Sequence, residues 1–410
     1  MDRETCLSFD RQDPLAPFRD EFTLPDGIMY LDGNSLGALP RATVARIDEV
    51  ISQEWGSGLI RSWNAAHWIE APRRIGDKIA RLIGAKPGEV IVADSTSVNL
   101  FKLLAGALQL QPERHFILSE TANFPTDLYI AQGLIDLLAG HHAVRTVDRS
   151  QLESAIDGSV AVVMLTHVDY TSGAIHDMGH LTAAAHRYGA LMLWDLSHSA
   201  GAVPVDLNGS EVDLAIGCGY KYLNGGPGAP AYVFVATGLQ EQLRNPIAGW
   251  MGHAAPFAFE PDYRPADGIS RQLAGTPPML SLLALEVAID IWLSVDQQEA
   301  RRKSMALGDL FIRLVDETCR DLGVEVASPR EAKRRGSQVS LRHREGYRVM
   351  RALIDRGVIG DFRTPDLMRF GFAPLYTRYV DVFDAVRCLR EVLASRAWQR
   401  PEYATRLTVT

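Results

Sequence analysis

The sequence predicts an α/β protein with a mostly parallel central sheet covered by helices. A smaller α+β domain at the C-terminal end is expected to pack with the N-terminal segment. Two observations carry this. Near-continuous apolar runs at 90–93, 116–118, 160–165, 191–194, 214–217 and 232–235 alternate with helical patterns, as strands buried on both faces do. Polar clusters at 95–97, 123–127, 166–169 and 195–198 then follow the ends of those runs, where sites form in such sheets.

Taken in order, residues 1–60 read as an arm and a helix that starts near Arg41. The Tyr-Leu-Asp-Gly-Asn-Ser-Leu-Gly segment at 30–37 has the content of a turn. Residues 56–63 read as a loop. Residues 70–84 form a helix with Ile75, Ile79, Leu82 and Ile83 on one face. Helices at 98–108, from the 123–127 turn to about 139, and at 181–188 separate the strands. After Pro277 and Pro278 come a long helix at 280–295 and a charged one at 297–322. Short strands at 324–326, 338–341, 358–362 and 367–370, with helices at 347–355 and 379–395, complete the smaller domain. The expected division is 1–60 (arm and helix joining the small domain), 61–295 (large domain) and 296–410 (small domain).

Composition narrows the function class. The 410 residues are 47% hydrophobic and 22% charged, ample for large buried cores and ordinary for a folded chain. A formal net charge of −8 argues against nucleic acid or an anionic membrane as partner. The four cysteines, Cys6, Cys218, Cys319 and Cys388, are far apart with no Cys-x-x-Cys pair. That disfavours a disulfide framework or a metal site. Without a signal-peptide pattern or a long apolar run, a cytoplasmic protein is expected.

The residues that carry chemistry lie at the strand ends. Asp195 closes one apolar run, and Lys221 follows the next, in Gly-Tyr-Lys-Tyr-Leu-Asn-Gly-Gly-Pro-Gly. An acid followed by a lysine in this order suits a pyridoxal phosphate enzyme: the lysine forms the Schiff base and the acid pairs with the ring nitrogen. Read alone, Asp195 serves equally as a helix cap and Lys221 as a surface lysine. His198 is placed to bond the carboxylate or lie near a cofactor ring. Thr96 and Ser97 open a helix after a strand, where hydroxyls and free N–H groups receive phosphate. Tyr220 and Thr276 offer further hydroxyls. Phe124 is either a stacking ring or a core anchor. Arg369, inside an apolar strand, is either exposed by the pleat or holds a substrate carboxylate through its two-pronged fork.

These residues, with Gly-Trp-Met-Gly-His at 249–253 and Arg-Phe-Gly at 369–371, resemble the kynureninase family of fold-type-I pyridoxal phosphate enzymes over nearly the whole chain. The resemblance implies hydrolysis of a carbon–carbon bond in L-kynurenine, and its 3-hydroxy form, to anthranilate (or 3-hydroxyanthranilate) and L-alanine. It places that reaction in tryptophan catabolism, on the kynurenine route to NAD. Lys221, Tyr220 and Asp195 would be catalytic. Thr96, Ser97, Tyr220, Trp250 and Thr276 would hold the phosphate, the last two from a neighbouring subunit. Phe124 would stack on the ring. Thr126, Asp127, Thr166 and His198 would line the cofactor, Arg369 would bind the α-carboxylate, and Trp63 would meet the aryl ring. A homodimer with its site at the interface follows. The alternatives are another fold-type-I enzyme, such as a cysteine desulfurase or class V aminotransferase, or a non-catalytic relative that keeps the fold for binding.

Overall fold

Seven strands form the central sheet: β1 (Val90–Val92), β2 (Phe116–Glu120), β3 (Ala143–Val147), β4 (Val160–Thr166), β5 (Leu191–Asp195), β6 (Leu214–Gly217) and β7 (Tyr232–Val235). Their spatial order is β1-β7-β6-β5-β4-β2-β3. Only β7 runs against its neighbours β1 and β6; the other pairings are parallel. β4 to β7 are buried along their whole length, which is why they read as unbroken apolar runs. The computed structural model describes residues 1–138, 140 and 142–407; Ala139, near the expected end of one helix, lies outside them.

Helices cover both faces of the sheet and make two cores. On one side, helix Ala71–Leu82 and helix Met279–Leu293 pack with Val90, Val92, Trp194 and Phe234. On the other, helix Thr96–Leu110 and helix Pro125–Leu138 pack with Ile91, Val162, Leu193 and Ile216. A third core joins helix Gln297–Thr318 and helix Tyr379–Ala394 to a four-stranded antiparallel sheet ordered Glu325–Val326, Gln338–Arg342, Leu367–Gly371, Asp361–Arg363. Cys6 and Leu31 sit in that third core, and Met29–Tyr30 pairs with Val358–Ile359. The first forty residues are thus bound to the C-terminal part.

Three local expectations are corrected. Residues 56–63 are not a loop. Val50–Gly58 is wound as a π-helix, Leu59–Arg61 as a 3-10 turn and Ser62–Ala65 as an α-turn. The Ser62 hydroxyl donates to the Glu54 carbonyl at 2.5 Å, so a local bond holds the coil where Gly56 and Gly58 suggest a break. Strand β3 carries no strong apolar signal because it is an edge; Arg145 in its middle lies 3.7 Å over the Phe116 ring. The run 358–362 is two strands in different sheets, divided at Gly360. There the chain passes so close that a Cβ would sit 2.7 Å from the Arg369 carbonyl.

Candidate active site

The carboxyl ends of β2, β4, β5 and β6 converge on Lys221. Its Nζ lies 2.8 Å from His198 Nε2. The direction of that bond is settled by a second one. Gln338 Nε2 donates to the Tyr170 carbonyl at 3.0 Å, which leaves Gln338 Oε1 facing His198 Nδ1 at 3.2 Å. His198 Nδ1 therefore carries the hydrogen and Nε2 accepts from Lys221. Burial, with the nearby charges of Lys221 and Arg369, pushes the His198 pKa far below its ordinary value, so the ring is a neutral acceptor. Gln338 comes from the small sheet, so the two halves of the chain meet at this contact.

The backbone behind Lys221 is equally tight. Gly37 N donates to the Tyr220 carbonyl at 2.8 Å, and a Cβ at Gly37 would lie 2.3 Å from the Lys221 carbonyl. The 30–37 segment is a wall of the site, and only glycine allows that approach.

Asp195 is buried, and burial raises its carboxyl pKa despite hydrogen bonds from Ser197 and the charge of Lys221. Ser197 gives it both a backbone and a hydroxyl hydrogen bond, at 2.7 and 2.6 Å, and both end on Oδ1. Oδ2 accepts no bond among the described residues. Asp127, at the start of helix Pro125–Leu138, is a second buried carboxylate. Burial and the charge of Asp195 raise its pKa well above the usual range. Thr166 Oγ1 lies 2.6 Å from Asn123 Oδ1 and 3.4 Å from Asp127 Oδ2. His167 N donates to the Asp195 carbonyl at 2.9 Å, so three of the four clusters are linked: 123–127, 166–169 and 195–198.

The fourth cluster borders a cleft of about 500 Å³ lined by Ser95, Tyr220, Thr276 and the 228–230 turn. Ser95 caps helix Thr96–Leu110, accepting from Val98 N at 3.3 Å, which puts Thr96 and Ser97 on its first turn. Thr276 lines the cleft from the same chain as Tyr220. Burial raises the Tyr220 hydroxyl pKa well above that of a free tyrosine. Phe124 is 37% exposed and stands edge-on to Tyr170, with centroids 5.1 Å apart. It heads the helix that carries Thr126.

Arg369 is buried rather than exposed by the pleat. Its Nε donates to Asp361 Oδ1 at 2.7 Å and its Nη2 to Asp361 Oδ2. Nη1 donates to the Tyr170 carbonyl at 2.6 Å, and Nη2 lies 3.3 Å from Ser35 Oγ. The fork expected to face a substrate is turned onto Asp361. Trp63 packs edge-on against Trp68. Trp250 packs with Phe257 and Phe259 on an exposed loop. No hydrogen bond or ring contact joins either tryptophan to the Lys221 cluster among the described residues.

Sequence reasoning passed over Gln338, Tyr170, Asp361 and Arg363. A glutamine in a strand gives no signal until its partner is known. Asp361 and Arg369 are cross-strand neighbours, a pairing legible only in register. Asp94 and Lys102, behind the phosphate-type helix start, were also missed. A lysine on an apolar helix was the available clue.

The model of the kynureninase C-terminal domain matches residues 300–389. Kynureninases of Burkholderia pseudomallei (strain 1106a), Burkholderia mallei (strain SAVP1) and Pseudomonas fluorescens are each 54% identical over 413 residues, covering 100% of this chain and 99% of the relative. Among solved structures, a cysteine desulfurase from Thermococcus onnurineus NA1 is similar at a TM-score of 0.79 with 21% identity, covering 92% of this chain and 98% of that one. A cysteine desulfurase from Escherichia coli gives 0.76 with 18% identity, covering 93% and 98%. At those identities the likeness is one of fold.

Proposed function

The chain belongs to the kynureninase family, and on that premise we propose that it hydrolyses the Cβ–Cγ bond of L-kynurenine and 3-hydroxy-L-kynurenine. The products are anthranilate or 3-hydroxyanthranilate, and L-alanine. The observation that carries the reading is the Lys221–His198 contact near Asp195, in a chain that matches curated kynureninases from end to end. The desulfurase alternative lacks its nucleophile. Cys6, Cys218 and Cys319 are buried and Cys388 is partly buried on a helix.

The residues present fit pyridoxal phosphate. Asp195 is a buried residue whose Oδ2 accepts no bond from the described residues, since both Ser197 bonds end on Oδ1. Thr96 and Ser97 open a long helix whose cap, Ser95, lines a cleft together with Tyr220 and Thr276. Burial raises the carboxyl pKa values of Asp127 and Asp195, with the Asp195 charge adding to the rise at Asp127, and a positive ring nitrogen beside them would offset that. When bound, the cofactor supplies an aldehyde for an amine and a ring that takes up electrons from carbon.

Around it this chain's residues take the following parts. Asp195 keeps the ring nitrogen protonated, with Asp127 and Thr166 beside it and Thr126 and Phe124 at the ring. Thr96, Ser97, Tyr220 and Thr276 hold the phosphate. Lys221 would hold the cofactor and, once free as an amine, would take the α-proton; neutral His198 accepts a hydrogen bond from Nζ and orients it. Tyr220 stays protonated at neutral pH, so it can give a proton during carbonyl hydration and bond cleavage. Arg369 meets the α-carboxylate, and Trp63 the aryl ring. No helix among the described residues is long and apolar enough to cross a membrane. A reducing cytoplasm suits the free cysteines. The exposed Trp250, Phe257 and Phe259 support a homodimer that places Trp250 at the partner's site; a single-chain mass in solution would overturn that. In the activity test, the holoenzyme releases anthranilate fluorescence from kynurenine, and Lys221→Ala removes both that and the yellow colour. A yellow protein that instead makes sulfide from cysteine would refute the reading.

A further inference from the structure

Arg363 is a second cation beside Arg369, held on the same carboxylate. It stands at the end of Asp361–Arg363, the strand beside the one that carries Arg369. Its Nη2 lies 2.8 Å from Asp361 Oδ2, and its Nη1 donates to the Phe362 carbonyl at 2.9 Å. Nε carries no bond among the described residues. The side chain is 41% exposed, against 2% for Arg369. Arg369, held on the same carboxylate, donates to the Tyr170 carbonyl, which also accepts from Gln338, the partner of His198, so Arg363 stands beside the network that holds Lys221.

The neighbouring fork is nearly spent. Four of the five N–H groups of a guanidinium are taken up in Arg369 by Asp361, Tyr170 and Ser35. A carboxylate arriving from solvent finds one free N–H on Arg369. The local charge also leaves room for an anion. Two guanidiniums share one carboxylate, Asp361, and the nearby Asp32 carboxyl is pushed up to about 7 by burial and Asp361, so at neutral pH it carries only part of a charge. A cation with open donors beside a saturated one, both held on one carboxylate, is an arrangement that receives a second carboxylate.

We propose that Arg363 is a substrate-binding residue that takes the α-carboxylate of the amino-acid substrate, sharing it with the one open N–H of Arg369. This rests on the proposed activity. Asp361 then acts as the positioning group that holds both guanidiniums at the site.

The test compares L-alanine with ethylamine, which lacks the carboxylate, as titrants of the holoenzyme, read by the change in visible absorbance. In Arg363→Gln, L-alanine binding weakens about 10- to 100-fold, the range of a lost charge-assisted hydrogen bond, while ethylamine binding stays within about twofold. KM for kynurenine rises by a similar factor and kcat falls far less. Arg363→Lys, which keeps the charge beside Asp361, recovers part of the loss. Unchanged L-alanine binding in Arg363→Gln overturns the proposal. So does equal weakening of both titrants, which would mean that Arg363 only supports Asp361. Wild-type enzyme that releases no anthranilate would instead refute the activity, a separate result.

Discussion

Lys102 and Asp94 offer the sharpest energetic test of how the phosphate-type helix start is held. Lys102 Nζ is wholly buried, 2.7 Å from Asp94 Oδ2 and 2.7 Å from the Gln272 carbonyl. It ties the end of β1, where Asp94 has φ 47°, to the segment leading to Thr276. The two partners differ in access to water: the Asp94 side chain is 30% exposed and Lys102 is 0% exposed. In Asp94→Asn a buried ammonium loses its counter-charge and keeps only neutral carbonyl acceptors, a loss of about 3–5 kcal/mol. In Lys102→Met the buried charge goes too and Asp94 can take up water, so the loss is about 1–3 kcal/mol. At about 3 °C per kcal/mol for a domain of this size, calorimetry of the holoenzyme should show Tm lowered by roughly 9–15 °C and 3–9 °C. The Asp94→Asn deficit should also shrink as pH rises from neutral toward the ordinary lysine range near about 10. Burial already pulls the Lys102 pKa down. Without Asp94 it falls further, the unfolded chain then binds more protons than the folded one, and stability rises with pH. A larger loss in Lys102→Met, or no narrowing with pH, would refute the reasoning.

Two further outcomes are expected. Gln338→Leu removes the acceptor that selects the His198 tautomer and should lower kcat by about tenfold or more with a changed pH–rate profile; Gln338→Glu, which keeps an acceptor, should restore much of it, and a wild-type profile in Gln338→Leu would sink the idea. Asp32 is pushed up to about 7 from 3.8, so between about pH 4 and 7 the folded chain holds a proton that the unfolded chain has lost; its contribution to stability falls as pH rises through that window and does not return above it. Asp32→Asn should therefore lose less Tm than wild type between pH 5 and 8, and parallel curves would count against it.

The parallel sheet was legible because strands buried on both faces must be apolar throughout, and the strand ends marked the candidate site for the same topological reason. Asp195, Lys221 and His198 could be nominated from their places in the chain, and the longer motifs around them named the family. Boundaries failed where local composition and long-range pairing disagreed. Gly56 and Gly58 suggested a break in a coil that Ser62 holds, and 358–362 looked like one strand although its halves pair with different partners. Local sequence could not decide which groups already have partners. Arg369 read as a fork open to substrate, yet register sets it opposite Asp361, which takes two of its five N–H groups. Gln338 carried no signal, although it orients the imidazole that holds Lys221. Residue type sets what a group can bond, and only the tertiary structure decides which of those bonds are already made, because that depends on distances between residues far apart in the chain.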